Sequence, residues 1–245
     1  IYNGYKDASG KMRSISGKAL SFSLSGQAEI TACKANGDGW YTECIVDRML
    51  INMLLILISK STSTQSIFGQ GMTSGSESAM KAYLTGSLDT KGMFFGYNAT
   101  DKAVKVFGME NYWGCQWRRH AGLIQKGGKA YYKLTRGTVD GSTATDFNTD
   151  GTGYIEHSGA LSADSGWQST QAFDANLIIP SGVGASDATH MCDYYYVNTN
   201  ATTYALIGGS SGAGSTCGAF YLLLTDAVSS AAWTIGCAPS LKPLA

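Results

Sequence analysis

The alternation of apolar and polar positions predicts short strands along most of the chain. Residues 19–24 and residues 29–32 alternate in this way, and both segments are predicted to be strands. Residues 131–134 and 153–155 are typical of a hairpin whose two strands flank a polar loop. Residues 161–200 show no such regularity and are predicted to be irregular and surface-like. The pattern favours a fold of short strands and long irregular loops.

One longer apolar segment interrupts this pattern and predicts a helix over residues 42–60. Its centre, residues 49–58, reads M-L-I-N-M-L-L-I-L-I and is apolar nearly all round. A transmembrane helix needs about 20 apolar residues, whereas this run is half as long and follows directly on Asp47 and Arg48. A short helix that is apolar on all sides is usually buried between other layers. We therefore predict a buried central helix and no membrane insertion.

The C-terminal segment, residues 204–241, combines a Gly-rich bend with two apolar runs. Side chains alternate across a strand, so residues 219–224 present two faces: Phe220, Leu222 and Leu224 on one, and Ala219, Tyr221 and Leu223 on the other. We predict that the first face belongs to the core, together with Trp233. The second face is predicted to be open to a partner.

Composition narrows the classes of function. The 245 residues are 44% hydrophobic and 15% charged, which indicates a globular chain long enough to bury a core. Lys and Arg balance Asp and Glu at 18 each, so there is no electrostatic footprint for nucleic acid or an anionic membrane. With 31 Gly and only 3 Pro, strands and irregular turns are favoured over a helical bundle. A partner would be recognised by shape, aromatic rings and hydroxyls.

No motif for catalysis or metal binding stands out. The sequence contains no P-loop, G-x-S-x-G elbow, G-x-G-x-x-G unit or H-E-x-x-H helix. His120, His157 and His190 share no ligand spacing and are interpreted as surface or hydrogen-bonded histidines. The basic run at residues 118–120 is predicted to be a solvated edge. No cofactor is predicted.

The six cysteines also lack a C-x-x-C spacing, and most are predicted to be buried thiols, with one or two disulfides left open. The chain starts at Ile1 with neither Met nor a signal region, so we expect missing N-terminal context, through which a homo-oligomer could form. No linker or repeat divides the sequence. We expect one main domain over residues 37–245, with an N-terminal strand segment over residues 1–36 packed against it.

Two motifs carry a resemblance to a known family. Residues 108–119, G-M-E-N-Y-W-G-C-Q-W-R-R, resemble the G-x-x-N-x-W-G-N-V-W signature of C-type-lectin-fold domains of the formylglycine-generating-enzyme type. The C-terminal G-G-S-S, G-A-F-Y-L and W-T-I-G stretches are similar to the closing block of that family. The nearest resemblance is to the variable proteins of diversity-generating retroelements in phages and prophages, whose last strands and loops vary.

The resemblance implies an α+β, C-type-lectin-like fold with long irregular loops, in which Trp113, Trp117 and Trp233 anchor the core. Residues 204–241 would be the variable region. The sequence departs from the family at three positions: Cys115 replaces the usual Asn, Ser211 replaces a Trp, and Ala238 falls near the closing Arg. The implied ligand-binding surface comprises Ile207, Ser210, Ser211, Ala213, Ser215, Tyr221, Leu223, Asp226, Val228, Ser230 and Thr234. The alternative is that these residues are merely the outer face of a sheet.

Residue usage in the C-terminal segment is consistent with such variation. Retroelements of this class change adenines, so an AAC codon can become any NNC codon, and these never encode Lys, Glu, Gln, Met or Trp. In residues 204–241 the only member of that excluded set is Trp233, which is assigned to the core. An ordinary segment rich in Gly and Ser would often meet the same condition.

A further candidate site lies at residues 146–151, D-F-N-T-D-G, which match the first half of a calcium loop. The ligands would be Asp146, Asn148 and Asp150. The position of the usual bidentate Glu holds His157 instead. Asp and Asn also stabilise tight turns without metal, and this second interpretation is favoured.

The first hypothesis is therefore a non-enzymatic receptor-binding protein on a phage tail, and so on the virion, or on a cell surface. Its partner would be a protein or glycan receptor on a host or neighbouring cell. One alternative is a formylglycine-generating-like cysteine oxidase, or a degenerate relative, that uses Cys217 and Cys237. The other alternative is a secreted carbohydrate-binding or adhesin module.

Overall fold

The computed structural model describes residues 1–134 and 150–241 as a mixed α/β fold. The described chain contains four α-helices: α1 Gly26–Lys34, α2 Ile45–Ser59, α3 Thr64–Phe68 and α4 Glu77–Ala82. The first strands are β1 Tyr5–Lys6, β2 Met12–Arg13, β3 Trp40–Thr42, β4 Lys105–Val106 and β5 Met109–Glu110. The later strands are β6 Trp117–Lys126, β7 Lys129–Tyr132, β8 Ile155–Glu156, β9 Gly166–Phe173, β10 Ile178–Val183, β11 Tyr194–Val197, β12 Thr203–Ile207, β13 Leu222–Leu224, β14 Ile235–Gly236 and β15 Pro239–Leu241.

Nine of these strands form one sheet, in the order β10-β9-β11-β13-β12-β6-β7-β8, with β14 also paired to β6. Most neighbours are antiparallel, but β11 runs parallel to β13 and β14 runs parallel to β6. The ten-residue β6 pairs with β14 near its start and with β7 near its end. Strand β6, which holds the end of the motif, therefore lies in one sheet with β12, β13 and β14, whereas β15 pairs with β3 in a separate sheet.

The main core lies between one face of this sheet and the first half of α2. Ile45 and Met49 from α2 pack against Leu222 and Leu224 of β13, and Ile207 of β12 belongs to the same cluster. The opposite face of the sheet carries a smaller cluster built on Trp117, Leu206, Tyr221 and Ile235. Both faces of the central strands are therefore covered by side chains.

The predicted helix and hairpin are confirmed, with different bounds. Helix α2 begins at Ile45 and ends where Lys60 adopts a left-handed conformation with φ of 54°. Strands β7 and β8 pair antiparallel, with Tyr131 opposite Glu156.

The prediction that α2 is buried on all sides is wrong. Arg48 and Asn52 are completely buried, whereas Leu57 is 72% exposed and Leu50, Leu54 and Ile58 are also exposed. The polar side chains point inward because backbone carbonyls of other segments accept their hydrogen bonds. A hydropathy pattern contains no information about such hydrogen-bond partners.

Three further predictions of local structure are wrong. Residues 19–24 form no strand, since within this segment only Ala19 pairs, in an isolated bridge to Leu84. Residues 29–32 belong to α1, which begins because the Ser25 side chain accepts a hydrogen bond from the Ala28 N–H, and a short alternating run does not distinguish strand from helix. Residues 161–200 are not irregular, since they contain β9, β10 and β11. Strand β9 is rich in Ser, Thr and Gln, so its apolar signal is weak, and β10 and β11 are short runs within the same polar region.

Candidate functional site

The face of the sheet that carries Tyr221 also carries a group of aromatic side chains. The register places Tyr196 beside Leu223 and Tyr194 opposite Trp167. Partners in register project to the same face of a sheet. Strands β9, β11 and β13 therefore present four adjacent side chains together, and we call Trp167, Tyr194, Tyr196 and Leu223 the aromatic surface.

The rings of this surface are in mutual contact. The centroids of Tyr194 and Tyr196 are 4.7 Å apart, and those of Trp167 and Tyr194 are 5.4 Å apart. Tyr196 is 39% exposed, and the other three side chains are half-buried. Such contacts fix the ring positions, while each of the four side chains keeps part of its area exposed to solvent.

Tyr221 lies beneath the aromatic surface rather than on it. Its ring centroid is 4.5 Å from that of Trp117 and 6.3 Å from those of Tyr194 and Tyr196. Only 3% of the residue is exposed. Burial raises the pKa of its hydroxyl well above the ordinary value. The prediction that Tyr221 is an exposed anchor is therefore wrong, because neighbouring strands and loops cover the face that it shares.

The other predicted surface residues fall into three groups. Ile207, Ser210 and Ser211 are buried like Tyr221, whereas Ser215 is exposed. The half-buried group comprises Ala213, Leu223, Asp226, Val228, Ser230 and Thr234. Seven of the eleven predicted residues thus retain some exposure in this structure.

The buried group has a clear structural cause. The bend at residues 208–211 turns inward onto the signature motif: the Gly114 N–H donates to the Gly208 carbonyl at 3.0 Å, and the Ser211 N–H donates to the Cys115 carbonyl at 3.0 Å. Ile207 projects to the opposite face of the sheet, into the main core. The Gly-rich bend is therefore part of the scaffold.

Two loops border the Tyr221 side of the sheet. Ala213 packs on the Tyr221 cluster, and the Gly214 N–H donates to the Thr73 carbonyl at 2.9 Å. In the loop that follows β13, the Ser230 carbonyl accepts a hydrogen bond from Nη2 of Arg119 at 2.8 Å. Both loops are tied to the rest of the fold by backbone groups, so their side chains can change without loss of these bonds.

A buried ion pair supports the second of these loops. Nε of Arg119 lies 2.6 Å from Oε2 of Glu29 in α1, and each side chain is 1% exposed. Burial raises the pKa of Glu29 to about 7, although Arg119 acts in the opposite direction. The pair links α1, β6 and the loop after β13.

A second buried network fixes the segment before β13. Asn52 Nδ2 donates to the Ala219 carbonyl at 2.8 Å, and the Tyr112 hydroxyl donates to Asn52 Oδ1 at 2.9 Å. The Arg48 guanidinium stacks 3.4 Å from the centre of the Tyr112 ring and donates to the Tyr112 carbonyl at 2.8 Å. The signal for this network was visible in the sequence as two polar residues, four apart, in an apolar helix.

The basic run at residues 118–120 is not a solvated edge. All three side chains are buried, and Glu43 lies 3.2 Å from Arg118 and 3.3 Å from His120. Burial by itself would raise the pKa of Glu43, but His120 and Arg118 outweigh it and lower that pKa. The sequence prediction was wrong because the partners are distant in the chain.

The aromatic surface was missed by sequence reasoning. Trp167 and Tyr196 fall in the segment that was predicted to be irregular, so no sheet register could be assigned to them. The run of three tyrosines at residues 194–196 was the one available signal.

The cysteines and the histidines give weaker evidence for a functional site than the aromatic surface does. Five cysteines are buried and Cys192 is half-buried. Cys217 and Cys237 belong to different core clusters, and burial raises the pKa of the Cys217 thiol. His157 is buried, with Nε2 3.0 Å from the Leu177 carbonyl.

Of the predicted calcium ligands, Asp146 and Asn148 lie outside the described residues. The Asp150 carboxylate accepts a hydrogen bond from the Thr152 N–H at 2.9 Å, as in a tight turn. Within residues 1–134 and 150–241, no group of three or more His, Cys, Asp and Glu side chains could hold a metal ion. The described helices are also too short or too polar to cross a membrane.

Comparison with protein-family models and with curated proteins finds no match for this chain.

Proposed function

We propose that this chain is a non-enzymatic binding protein that recognises a protein or glycan receptor through the aromatic surface and its bordering loops. The observation that carries this proposal is the cluster of Trp167, Tyr194, Tyr196 and Leu223, which is half-exposed and held in fixed positions by ring contacts. Tyr and Trp supply large contact areas with few torsions to freeze, and their polar tips can bond to a ligand.

The scaffold beneath supports this role. Tyr221 and Trp117 back the aromatic surface, and the buried Arg119–Glu29 pair and Asn52–Ala219 bond hold the adjoining segments. A rigid support lowers the entropy that binding must overcome. A surface of this kind can accept different side chains at its edge while the fold stays unchanged.

We further propose that the domain is a C-type-lectin-like variable protein of a diversity-generating retroelement, carried on a phage tail or a cell surface. Support comes from the two sequence motifs, which lie next to each other in one sheet, and from the restricted residue usage of residues 204–241. Under this proposal the varied positions are Ala213, Ser215, Leu223 and their exposed neighbours. The buried residues would belong to the constant scaffold.

A carbohydrate-binding or adhesin module is the second candidate, because the exposed ring of Tyr196 can stack on a sugar ring. The cysteine-oxidase alternative has less support. The thiolate is the reactive form of cysteine, and Cys217 and Cys237 are buried in separate clusters.

The test starts with the purified chain on an array of immobilised glycans and on a panel of bacterial cells. Tyr196→Ala and Leu223→Ala should then weaken the observed binding at least tenfold, because each removes contact area from the centre of the surface. Tyr97→Ala is the matched control, since this tyrosine is 36% exposed and lies elsewhere. Equal binding by all three variants and the unchanged chain would contradict the proposal.

A further inference from the structure

Helix α2 exposes an apolar stripe from Leu50 to Ile58. Leu50, Leu54, Leu57 and Ile58 are 47%, 39%, 72% and 55% exposed. Their spacing of four, three and one places them on one side of the helix. Isolated exposed leucines are ordinary, but a continuous apolar stripe marks an interaction surface.

The stripe continues into a groove at the first half of the helix. This groove has a volume of about 440 Å³ and lies between Met49, Leu50 and Met53 of α2 and the turn that joins β9 to β10. On the other side Phe173, which is 66% exposed, and Ile178 line it. Asp174 and Asn176 of the turn also line it, so the groove is mainly apolar, and it is large enough for one or two aliphatic side chains.

The size of this surface fits one side of a dimer. The four side chains of the stripe and Phe173 together offer, at these exposed fractions, on the order of 400–500 Å² of apolar surface. A standard interface buries about 800 Å² per partner, and about 65% of a homodimer interface is apolar, which is about 500 Å².

The distribution of charge favours an antiparallel pair of identical helices. The stripe itself contains no charged residue, while half-buried Asp47, whose Oδ2 accepts a hydrogen bond from the Tyr41 hydroxyl at 3.2 Å, lies at its start and exposed Lys60 at its end. If a two-fold axis passes beside Leu54, position 47 of one copy faces position 61 of the other. Asp47 of each copy then lies next to Lys60 of the second copy.

The same arrangement fills the groove. With the axis at Leu54, Ile58 of one copy faces Leu50 of the other, at the edge of the groove. Leu57 and Ile58, the most exposed side chains of the stripe, would thus enter the groove of the second copy, twice by symmetry. A two-fold interface requires such self-complementarity.

We propose that the chain forms a homodimer through antiparallel pairing of its α2 helices, with Leu57 and Ile58 of each copy in the groove of the other. This interface is built on α2 and the β9–β10 turn, whereas the aromatic surface lies on the sheet face away from the α2 core. The dimer would present two binding surfaces, and bivalency strengthens weak binding without new contacts. The proposal does not depend on what the aromatic surface binds.

Sedimentation equilibrium of the chain between about 1 and 100 μM tests the dimer directly. The expected mass is twice the 25.9 kDa of one chain. Leu57→Glu should weaken the dimer at least a hundredfold, because each dimer loses two buried leucines. Leu84→Glu is the matched control: Leu84 is 53% exposed and lies outside the stripe. A monomeric chain at 100 μM, or a dimer unaffected by Leu57→Glu, would overturn the proposal.

A charge exchange tests the antiparallel register. Asp47→Lys and Lys60→Glu each place like charges together in their own homodimers, but a mixed dimer of the two variants restores both opposite-charge contacts. Each homodimer should be several-fold weaker than the unchanged dimer, and mixing differently labelled variants should favour the mixed dimer. Random assortment of the labels, with circular dichroism showing both variants folded, would refute this register.

Discussion

Replacement of Glu29 by Ala should destabilise the protein strongly, although Glu29 is far in sequence from every residue of the aromatic surface. Its carboxylate lies 2.6 Å from Nε of Arg119, and both side chains are 1% exposed. Without Glu29 the Arg119 guanidinium would stay buried. Within the described residues it would keep one hydrogen bond, which it donates to the Ser230 carbonyl.

The expected cost follows from this burial. Removing one partner of a buried ion pair costs about 3–5 kcal/mol, because the other charge is left without compensation. A domain has about 5–15 kcal/mol of stability in total. Glu29→Ala should therefore remove a large part of the free energy of unfolding.

Urea unfolding followed by circular dichroism at pH 8, where Glu29 is ionised, measures this change. The double variant Glu29→Leu/Arg119→Met should recover most of the loss, because it removes both charges and keeps apolar volume. A loss below about 1 kcal/mol in Glu29→Ala would mean that the pair is open to solvent, since exposed pairs contribute that little. That result would refute the reasoning.

The same pair predicts a dependence on pH. Burial raises the pKa of Glu29 in the folded state to about 7, above the ordinary 4.5. The folded state therefore holds this proton more tightly than the unfolded state, so the stability that comes from binding the proton is complete below pH 4.5 and is lost as pH rises through about 7. Across this range the unchanged chain should lose more stability than Glu29→Gln, because buried Asp193, whose pKa is also raised, contributes equally to both. Parallel curves would contradict the pKa direction.

Three further predictions concern single side chains. Tyr221→Ala should cost about 3–5 kcal/mol in urea unfolding, because it leaves a cavity under the aromatic surface, whereas Tyr196→Ala should cost less than about 1 kcal/mol; equal costs would contradict the burial of Tyr221. Asn52→Leu should destabilise the chain by about 1–3 kcal/mol, because the Ala219 carbonyl loses its 2.8 Å hydrogen bond and keeps only the 3.5 Å one from Arg48; a neutral result would show that water replaces the bond. A thiol-labelling reagent should modify only half-buried Cys192 in the native protein and all six cysteines in denaturant; native labelling that persists in Cys192→Ser would disprove this.

Local patterns predicted several elements correctly. Nine apolar residues among the ten at 49–58 predicted α2, and the paired apolar runs predicted the β7–β8 hairpin. They failed at α1, where four residues fit either period, and at β9, whose Ser, Thr and Gln residues carry no apolar signal. Helix and strand assignment from one sequence depends on clear periodicity, and these segments have none.

For the candidate site too, the sequence pattern predicted some features correctly and missed others. Alternation correctly separated Leu222 and Leu224 from Tyr221 and Leu223, which lie in two different clusters. It could not show that Tyr194 and Tyr196 from β11 would cover the second face, because β11 joins β13 only through tertiary pairing. The aromatic surface is therefore assembled from segments that are distant in sequence.

The sequence by itself determined which residues share a strand face and where the long helix runs, because both follow from local backbone geometry. Only the tertiary structure decided which of those faces meets solvent. It buried Arg48 and Arg119 and exposed Leu57, contrary to their hydropathy, since burial depends on whether another segment supplies a hydrogen bond, a counter-charge or an apolar contact.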